Sequence, residues 1–246
     1  MKLPSCDAVL SSFDKEDFVG FGQIAGDQDV PMVKIGYARG FPAWRRYIEE
    51  TAVRHMEASI RQPFLFWPLS VLYREEPSGE VIDMRSHILD TLRVLKRFEG
   101  RLQTVFRYHP TTDRTLFASL LEEADYRDYT VSDAHPHQLI SRAALTFSNS
   151  GSSLFCDAYF LGCPVAQYIN RDPVYARHDE AGNPVASLYH PDVDHFIVDD
   201  PEALARVIED ILAAGRSAVR RDEAELDQRF PVLSDDGIRA ALAPYL

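Results

Sequence analysis

"LTFSNSGSSLFCDAYFLGCPVAQY", residues 145–168, decides how this chain folds. An apolar run meets the small polar residues 148–153, then a second apolar run of helical length, then Gly162 and a third apolar run. Short apolar runs bounded by turn residues read as buried strands. "SSLFCDAYFLG" (152–162) reads as a helix ended by Gly162, because glycine supplies the left-handed residue that closes a helix. The stretch is therefore strand–turn–helix–strand, the repeating unit of a parallel sheet. The same order occurs about forty residues earlier. "QTVFRYHP" (103–110) is a strand, and 112–124 is a helix with Thr111 or Thr112 as N-cap.

Working outward, strands are expected at 7–12, 31–37, 126–133, 144–150 and 163–169. "PFLFWPLS" (63–70) is a buried strand stopped by Pro68. Helices are expected at 41–60, 84–98, 135–143 and 202–215, the last ended by Gly215, with a helical C-terminal tail. Residues 74–80 and 170–187 read as loose, the second as a mobile loop over the site. Strands joined by single helices imply right-handed crossovers. The expected fold is α/β: a Rossmann-like parallel sheet with helices on both faces, plus a short N-terminal α/β segment. Residues 1–60 are read as that segment and 61–246 as the ligand-binding domain.

Composition bounds the partners. The 246 residues carry a formal net charge of −12, which argues against a broad nucleic-acid surface. A local basic pocket for a phosphorylated small molecule remains compatible. Cys6, Cys156 and Cys163 make no CxxC pair, as expected of a reduced, cytoplasmic protein. The first residues do not read as a signal peptide, and no run reaches the ~18 apolar residues of a membrane span.

Ligands of open parallel sheets bind beyond the carboxyl ends of the strands. Two strand ends stand out there. Ser150, Gly151, Ser152 and Ser153 precede a helix whose first N–H groups lack partners and carry partial positive charge, which suits a phosphate or diphosphate. Ser150 or Ser152 as a simple cap is the competing reading. His109, before Pro110, projects from the edge as a donor to a phosphate oxygen, whereas Arg107, which precedes it, is expected to point to the other face. A capping or core histidine is the competing reading there. Ser132 and Asp133 read as caps of the next helix, with base contacts from the adjacent backbone. His135, His137 and Asp133 lack the spacing of a familiar metal site, so no metal and no cofactor are expected. "GFGQIA" (20–25) matches a dinucleotide fingerprint but lacks the preceding strand. "SNSGSS" has Ser at 148 and 152, where a nucleophile elbow needs Gly.

The order of these motifs resembles the C-terminal, donor-binding half of GT-B glycosyltransferases, nearest to the capsule and surface-polysaccharide group that includes capsular Kdo transferases. The residues that carry the resemblance are Pro68-Leu69-Ser70, Arg107-Tyr108-His109-Pro110, Asn149-Ser150 with Ser152-Ser153, Asp157-Ala158 and Gly162-Cys163-Pro164-Val165. It spans about residues 60–215. It implies that His109 and the serine turn hold the donor phosphate, and that Asp157 contacts ribose or sugar. Ser70 stands where the group has Gln, and Asp157 where it has Glu, one methylene shorter. Only about 60 residues precede the match. The resemblance therefore implies a truncated chain, a separately encoded half, or a minimal relative, with residues 1–60 a remnant of an acceptor-side domain. In that family the catalytic base of inverting enzymes comes from the other half, so none is named.

The expected function is metal-independent sugar transfer from a nucleotide-sugar to a surface polysaccharide or glycolipid acceptor. An acceptor domain or subunit could be separate, and peripheral attachment at the inner membrane is compatible. A non-catalytic nucleotide-binding partner module and a nucleotide-sugar epimerase of the same fold stay open as alternatives, so catalysis itself is not assigned by sequence.

Overall fold

"FLFWPL" (64–69) is buried on both faces, as a central parallel strand must be. It forms the axis of the fold. The computed structural model describes residues 9–11, 32–34, 38–69, 72–75, 81–149, 152, 154–169, 177–178, 184–185, 194–198, 200–218 and 233–245. In chain order the strands are β1 (Val9–Ser11), β2 (Met32–Lys34), β3 (Phe64–Leu69), β4 (Tyr73–Glu75), β5 (Val81–Asp83), β6 (Gln103–Tyr108), β7 (Tyr129–Val131), β8 (Leu145–Ser148), β9 (Val165–Ile169), β10 (Arg177–His178), β11 (Pro184–Val185) and β12 (Asp194–Val198). The helices are α1 (Pro42–His55), α2 (Arg85–Lys96), α3 (Arg114–Glu123), α4 (Pro136–Arg142), α5 (Leu154–Phe160), α6 (Pro201–Ala214) and α7 (Asp235–Leu242).

Contacts group the chain into two units, residues 1–47 with 221–246, and residues 48–220. Residue 60, the boundary expected from sequence, lies in the second. The first unit contains the parallel pair β1–β2 and helix α7. The second contains a six-stranded sheet of order β12-β9-β8-β3-β6-β7, every neighbouring pair parallel. This is the expected α/β, Rossmann-like architecture. From β3 the chain builds outward through β6 to β7, then returns to β8 and builds the other way through β9 to β12. The order reverses between β3 and β8.

One face of the sheet is packed by α2, α3 and α6 around Trp67. The Trp67 ring meets Phe147 edge-on at 4.9 Å and Phe106 at 5.4 Å. Helix α2 supplies Ile88, Leu92 and Leu95 to this core, the stripe its sequence periodicity predicts. The α5 end is a Schellman closure: Cys163 N–H reaches Ala158 O at 2.8 Å and Gly162 N–H reaches Tyr159 O at 3.0 Å, with Gly162 at φ 62°. Arg216 then clamps the ends of α4 and α5. Its guanidinium donates to the carbonyls of Ile140, Ser141, Ala143, Leu161 and Gly162.

Several expectations need correction. The first long helix ends at His55, not at 60. Beyond its end Gln103 holds the chain: its Oε1 accepts from Arg61 N–H at 2.7 Å and its Nε2 donates to Ser59 O at 3.2 Å. Asp113, not Thr111 or Thr112, caps α3, accepting from Leu116 N–H at 3.0 Å. His135, not Ser132 or Asp133, caps α4. Pro68 lies inside β3 rather than stopping it. Strand β12 and the short pair β10–β11 were not anticipated. Within 74–80, read as loose, Arg74 and Glu75 belong to β4, which pairs antiparallel with β5. Residues 20–25, with their dinucleotide-like pattern, lie outside the described residues, as does most of 170–187.

Candidate functional site

The site begins with a missing hydrogen atom. Along β3 the peptide groups alternate between neighbours: Phe64 O accepts from Ala144 N–H at 2.8 Å, while Leu69 O accepts from His109 N–H at 3.2 Å. Even-numbered residues of β3 therefore face β8 and odd-numbered ones face β6. Pro68 is even, and proline has no N–H to give. The ladder to β8 accordingly ends at Phe66–Thr146, whereas the ladder to β6 runs on to Leu69–Tyr108. The carboxyl side of the sheet parts where the strand order reverses, the position at which open α/β sheets hold ligands.

His109 sits one strand away. Its main chain is fixed: the N–H also meets Thr112 Oγ1 at 3.1 Å, and its carbonyl accepts from Thr112 N–H at 2.9 Å. Its ring is exposed. Nδ1 accepts from Thr111 N–H at 3.3 Å and lies 2.7 Å from the Thr111 hydroxyl. An amide can only donate, so the neutral ring carries its proton on Nε2, as an outward donor. Burial, chiefly, raises the pKa of the neighbouring Tyr108 phenol; Arg114, 4.8 Å over its ring, opposes this.

Arg107 is half-buried and forms no ion pair or hydrogen bond with the described residues. It pairs in register with Pro68, and Ser148 pairs with Gln167. Continuing the β3–β8 register sets Pro68 opposite Ser148, so Arg107, Ser148 and Gln167 share one face. Gln167 is 2% exposed, and its Nε2 has no hydrogen-bond partner among the described residues. On the other face, Asn149 Nδ2 donates to Thr91 Oγ1 at 3.0 Å and to Tyr168 O at 3.1 Å. Its Oδ1 has no partner among the described residues. Sequence reading did not single out Gln167. The signal was a lone amide in the otherwise apolar "PVAQYI" of a buried strand.

Of the serine turn, only Ser152 is described. Its hydroxyl accepts from Leu154 N–H at 3.3 Å and its carbonyl from Phe155 N–H at 3.1 Å, which makes it a cap of α5. Ser150, Gly151 and Ser153 lie outside the described residues. Asp157 is 1% exposed, and its Oδ2 is 3.1 Å from His137 Nε2. The His137 ring in turn meets His135 edge-on at 4.8 Å. Ser132 is buried. Its hydroxyl lies 2.7 Å from both carboxylate oxygens of Glu57 and accepts from Ala134 N–H at 3.1 Å. Asp133 is exposed. Burial pushes the Cys163 thiol up, so it stays protonated beside Thr146. Among the described residues no group of His, Cys, Asp and Glu is arranged to hold a metal, and no helix is long and apolar enough to cross a membrane.

No family model matches the sequence, and no curated protein matches it either. Solved structures do. HepE of Anabaena, crystallised with UDP-glucose, is 14% identical with a TM-score of 0.52; the match covers 98% of this chain and 64% of that one. A variant of the wall teichoic acid polymerase TagF is 14% identical with a TM-score of 0.53, covering 97% of this chain and 56% of that one. A glycosyltransferase of Rickettsia africae is 12% identical with a TM-score of 0.51, covering 92% and 59%. The chain thus spans less than two thirds of the length of each of these structures. At such identities the likeness concerns the fold, and the fold is that of GT-B glycosyltransferases.

Proposed function

We propose that the chain is a glycosyltransferase, or the donor-binding half of one. It transfers a sugar from a nucleotide-sugar to a surface-polysaccharide or glycolipid acceptor, in the manner of the capsule group. One observation carries the reading: an outward imidazole donor, His109, beside the parted ladder at the reversal of strand order. In the transfer, the bond between the anomeric carbon and the donor's phosphate oxygen breaks, and that oxygen keeps the electron pair. The acceptor hydroxyl forms the new bond and loses its proton to a base outside the residues named here. His109 meets the growing phosphate charge with its Nε2–H, without a metal. Arg107 adds a cation from the neighbouring face. The turn Ser150–Gly151–Ser152–Ser153 holds the diphosphate, and Asp157 orients the sugar or ribose. Ser132 and Asp133 line the base side.

Residues 61–246 bind the donor in this reading, and residues 1–60 belong to the acceptor side. The protein works in the cytoplasm, at the inner face of the membrane that carries its acceptor. The UDP-glucose in the HepE structure makes uridine diphosphate sugars the first donors to try. The test is donor turnover in wild type and His109→Ala, with CMP-, UDP-, GDP- and CDP-sugars and lipid or glycan acceptors. His109→Ala should lower transfer on the order of a hundredfold, since one such donor is worth about 3 kcal/mol in the transition state. Unchanged transfer removes the assignment. Conversion of the donor with no acceptor present indicates an epimerase, and nucleotide binding without turnover indicates a binding module.

A further inference from the structure

An edge strand offers one side of its backbone to any chain that can pair with it. Strand β7 is such an edge, and no described strand pairs beyond it. Asp128 O accepts from Thr104 N–H at 3.0 Å, and Ser132 N–H donates to Phe106 O at 2.9 Å. Even-numbered residues of β7 therefore face β6, and the peptide groups of Tyr129 and Val131 point away from the sheet. The Arg127 carbonyl takes the Tyr129 N–H at 2.9 Å. That leaves the Tyr129 carbonyl and both main-chain groups of Val131 at the open edge.

Proteins guard an edge with proline, a bulge or charges within the strand. Tyr129-Thr130-Val131 has none of these. Its outward residues are apolar and exposed, Tyr129 by 36% and Val131 by 39%, and with Tyr47 they are the exposed large hydrophobics among the described residues. Asp128 is spent on Arg61 and on the Gly100 N–H. The charges that remain stand beyond the strand and differ in sign: Arg127 before it and Asp133 after it. Arg127 is 72% exposed, and its Nε lies 3.5 Å from Asp125 Oδ1. Asp125 is already paired with Lys96 at 2.6 Å, whose hydrogen bond and charge hold that carboxyl below its usual range. The Asp133 carboxylate is exposed and makes no ion pair or hydrogen bond among the described residues. Like signs at the two ends would repel a second copy laid antiparallel along the edge, whereas opposite signs attract one.

We propose that β7 pairs with β7 of a second copy of this chain, antiparallel about a twofold axis at Thr130. In that register Tyr129 of one copy stands opposite Val131 of the other. Each Val131 N–H donates to the Tyr129 carbonyl across the axis, and two aromatic–β-branched pairs cover the exposed side chains. Counting outward, Arg127 of each copy comes opposite Asp133 of the other. Such a contact uses one patch twice and closes as a dimer. It is short, so the association is weak and depends on concentration.

Sedimentation velocity over a concentration series tests this, with circular dichroism to check the fold of each variant. The wild type is expected to pass from monomer to dimer as concentration rises. Arg127→Asp and Asp133→Arg each set like charges opposite one another, and each should weaken the dimer by about tenfold or more. Mixed together, the two variants should associate as strongly as the wild type, because every contact between positions 127 and 133 then joins opposite charges. Val131→Lys, at an exposed position without an ion pair, should abolish pairing and serves where a charge reversal fails to fold. In the wild type the Val131 amide should exchange more slowly at dimer concentrations than at monomer ones. A wild type that stays monomeric, or a dimer indifferent to these substitutions, overturns the proposal. So does a mixture no stronger than its two parents, or a Val131 amide that concentration does not slow. None of these readouts depends on sugar transfer.

Discussion

Two strand ends leave the same edge of the sheet on either side of β3, and they are held in opposite ways. At the end of β6 the main chain does the holding. His109 N–H and C=O are bound to Leu69 and Thr112, and the imidazole is left exposed. At the end of β8 a side chain does the holding. Asn149 is 5% exposed and ties β8 to α2 through Thr91 and to β9 through the Tyr168 carbonyl. The fixed backbone leaves the His109 side chain exposed to a ligand, whereas the Asn149 side chain is spent on knitting the core. The two ends should therefore answer mutation differently.

The largest effect is expected at the first. His109→Ala should cost transfer about a hundredfold while leaving the unfolding free energy within about 0.5 kcal/mol, because an exposed ring with only local bonds is removed. Next comes the converse. Asn149→Ala loses two buried hydrogen bonds and leaves the Thr91 hydroxyl and the Tyr168 carbonyl short of a partner. It should destabilise by about 2–3 kcal/mol in denaturant unfolding. Thr91→Val in the Asn149→Ala background should then add less than it does alone, since the two share one bond. Wild-type stability in Asn149→Ala, or a destabilised His109→Ala, would break the comparison.

A smaller effect tests whether the first end needs its helix. Asp113 caps α3 immediately beyond the His109 turn. Asp113→Ala should cost about 1 kcal/mol of stability. If the turn is positioned by α3 as well as by β3, donor affinity should fall with it; if Leu69 alone holds His109, affinity should not move.

Much of this was legible in the sequence, and the misses have physical causes. The strand–turn–helix order around 145–168 follows from apolar runs and a glycine, both local properties. Helix caps were displaced by one or more residues because Thr111, Thr112 and Asp113 are all competent acceptors, and only geometry selects Asp113. The residues after α1, read as helix to 60, are held by Gln103, over forty residues away. Strand β12 is five residues long and begins Asp-His, so neither apolar continuity nor alternation flagged it. Of the site, His109 could be read as a strand-end residue. The place of Gln167 could not, because it depends on which residue of β8 stands opposite.

Pro68 offers the smallest effect on stability and the sharpest question about the crevice. Read as a strand terminator, it turned out to end one ladder and not the strand. Pro68→Ala restores an N–H directed at β8. The unfolded chain gains freedom, which costs about 0.4–1 kcal/mol. If the new amide pairs, about 1 kcal/mol returns. Net stability should therefore change by less than about 1 kcal/mol and decides nothing. Amide exchange decides instead. In Pro68→Ala, protection of the new amide together with weaker nucleotide-sugar binding means the proline holds the sheet open at the reversal point. An amide that exchanges freely, with donor binding unchanged, means the ladder ends at Phe66 for reasons that lie in β8, and the contrast between the two strand ends must then be explained without Pro68.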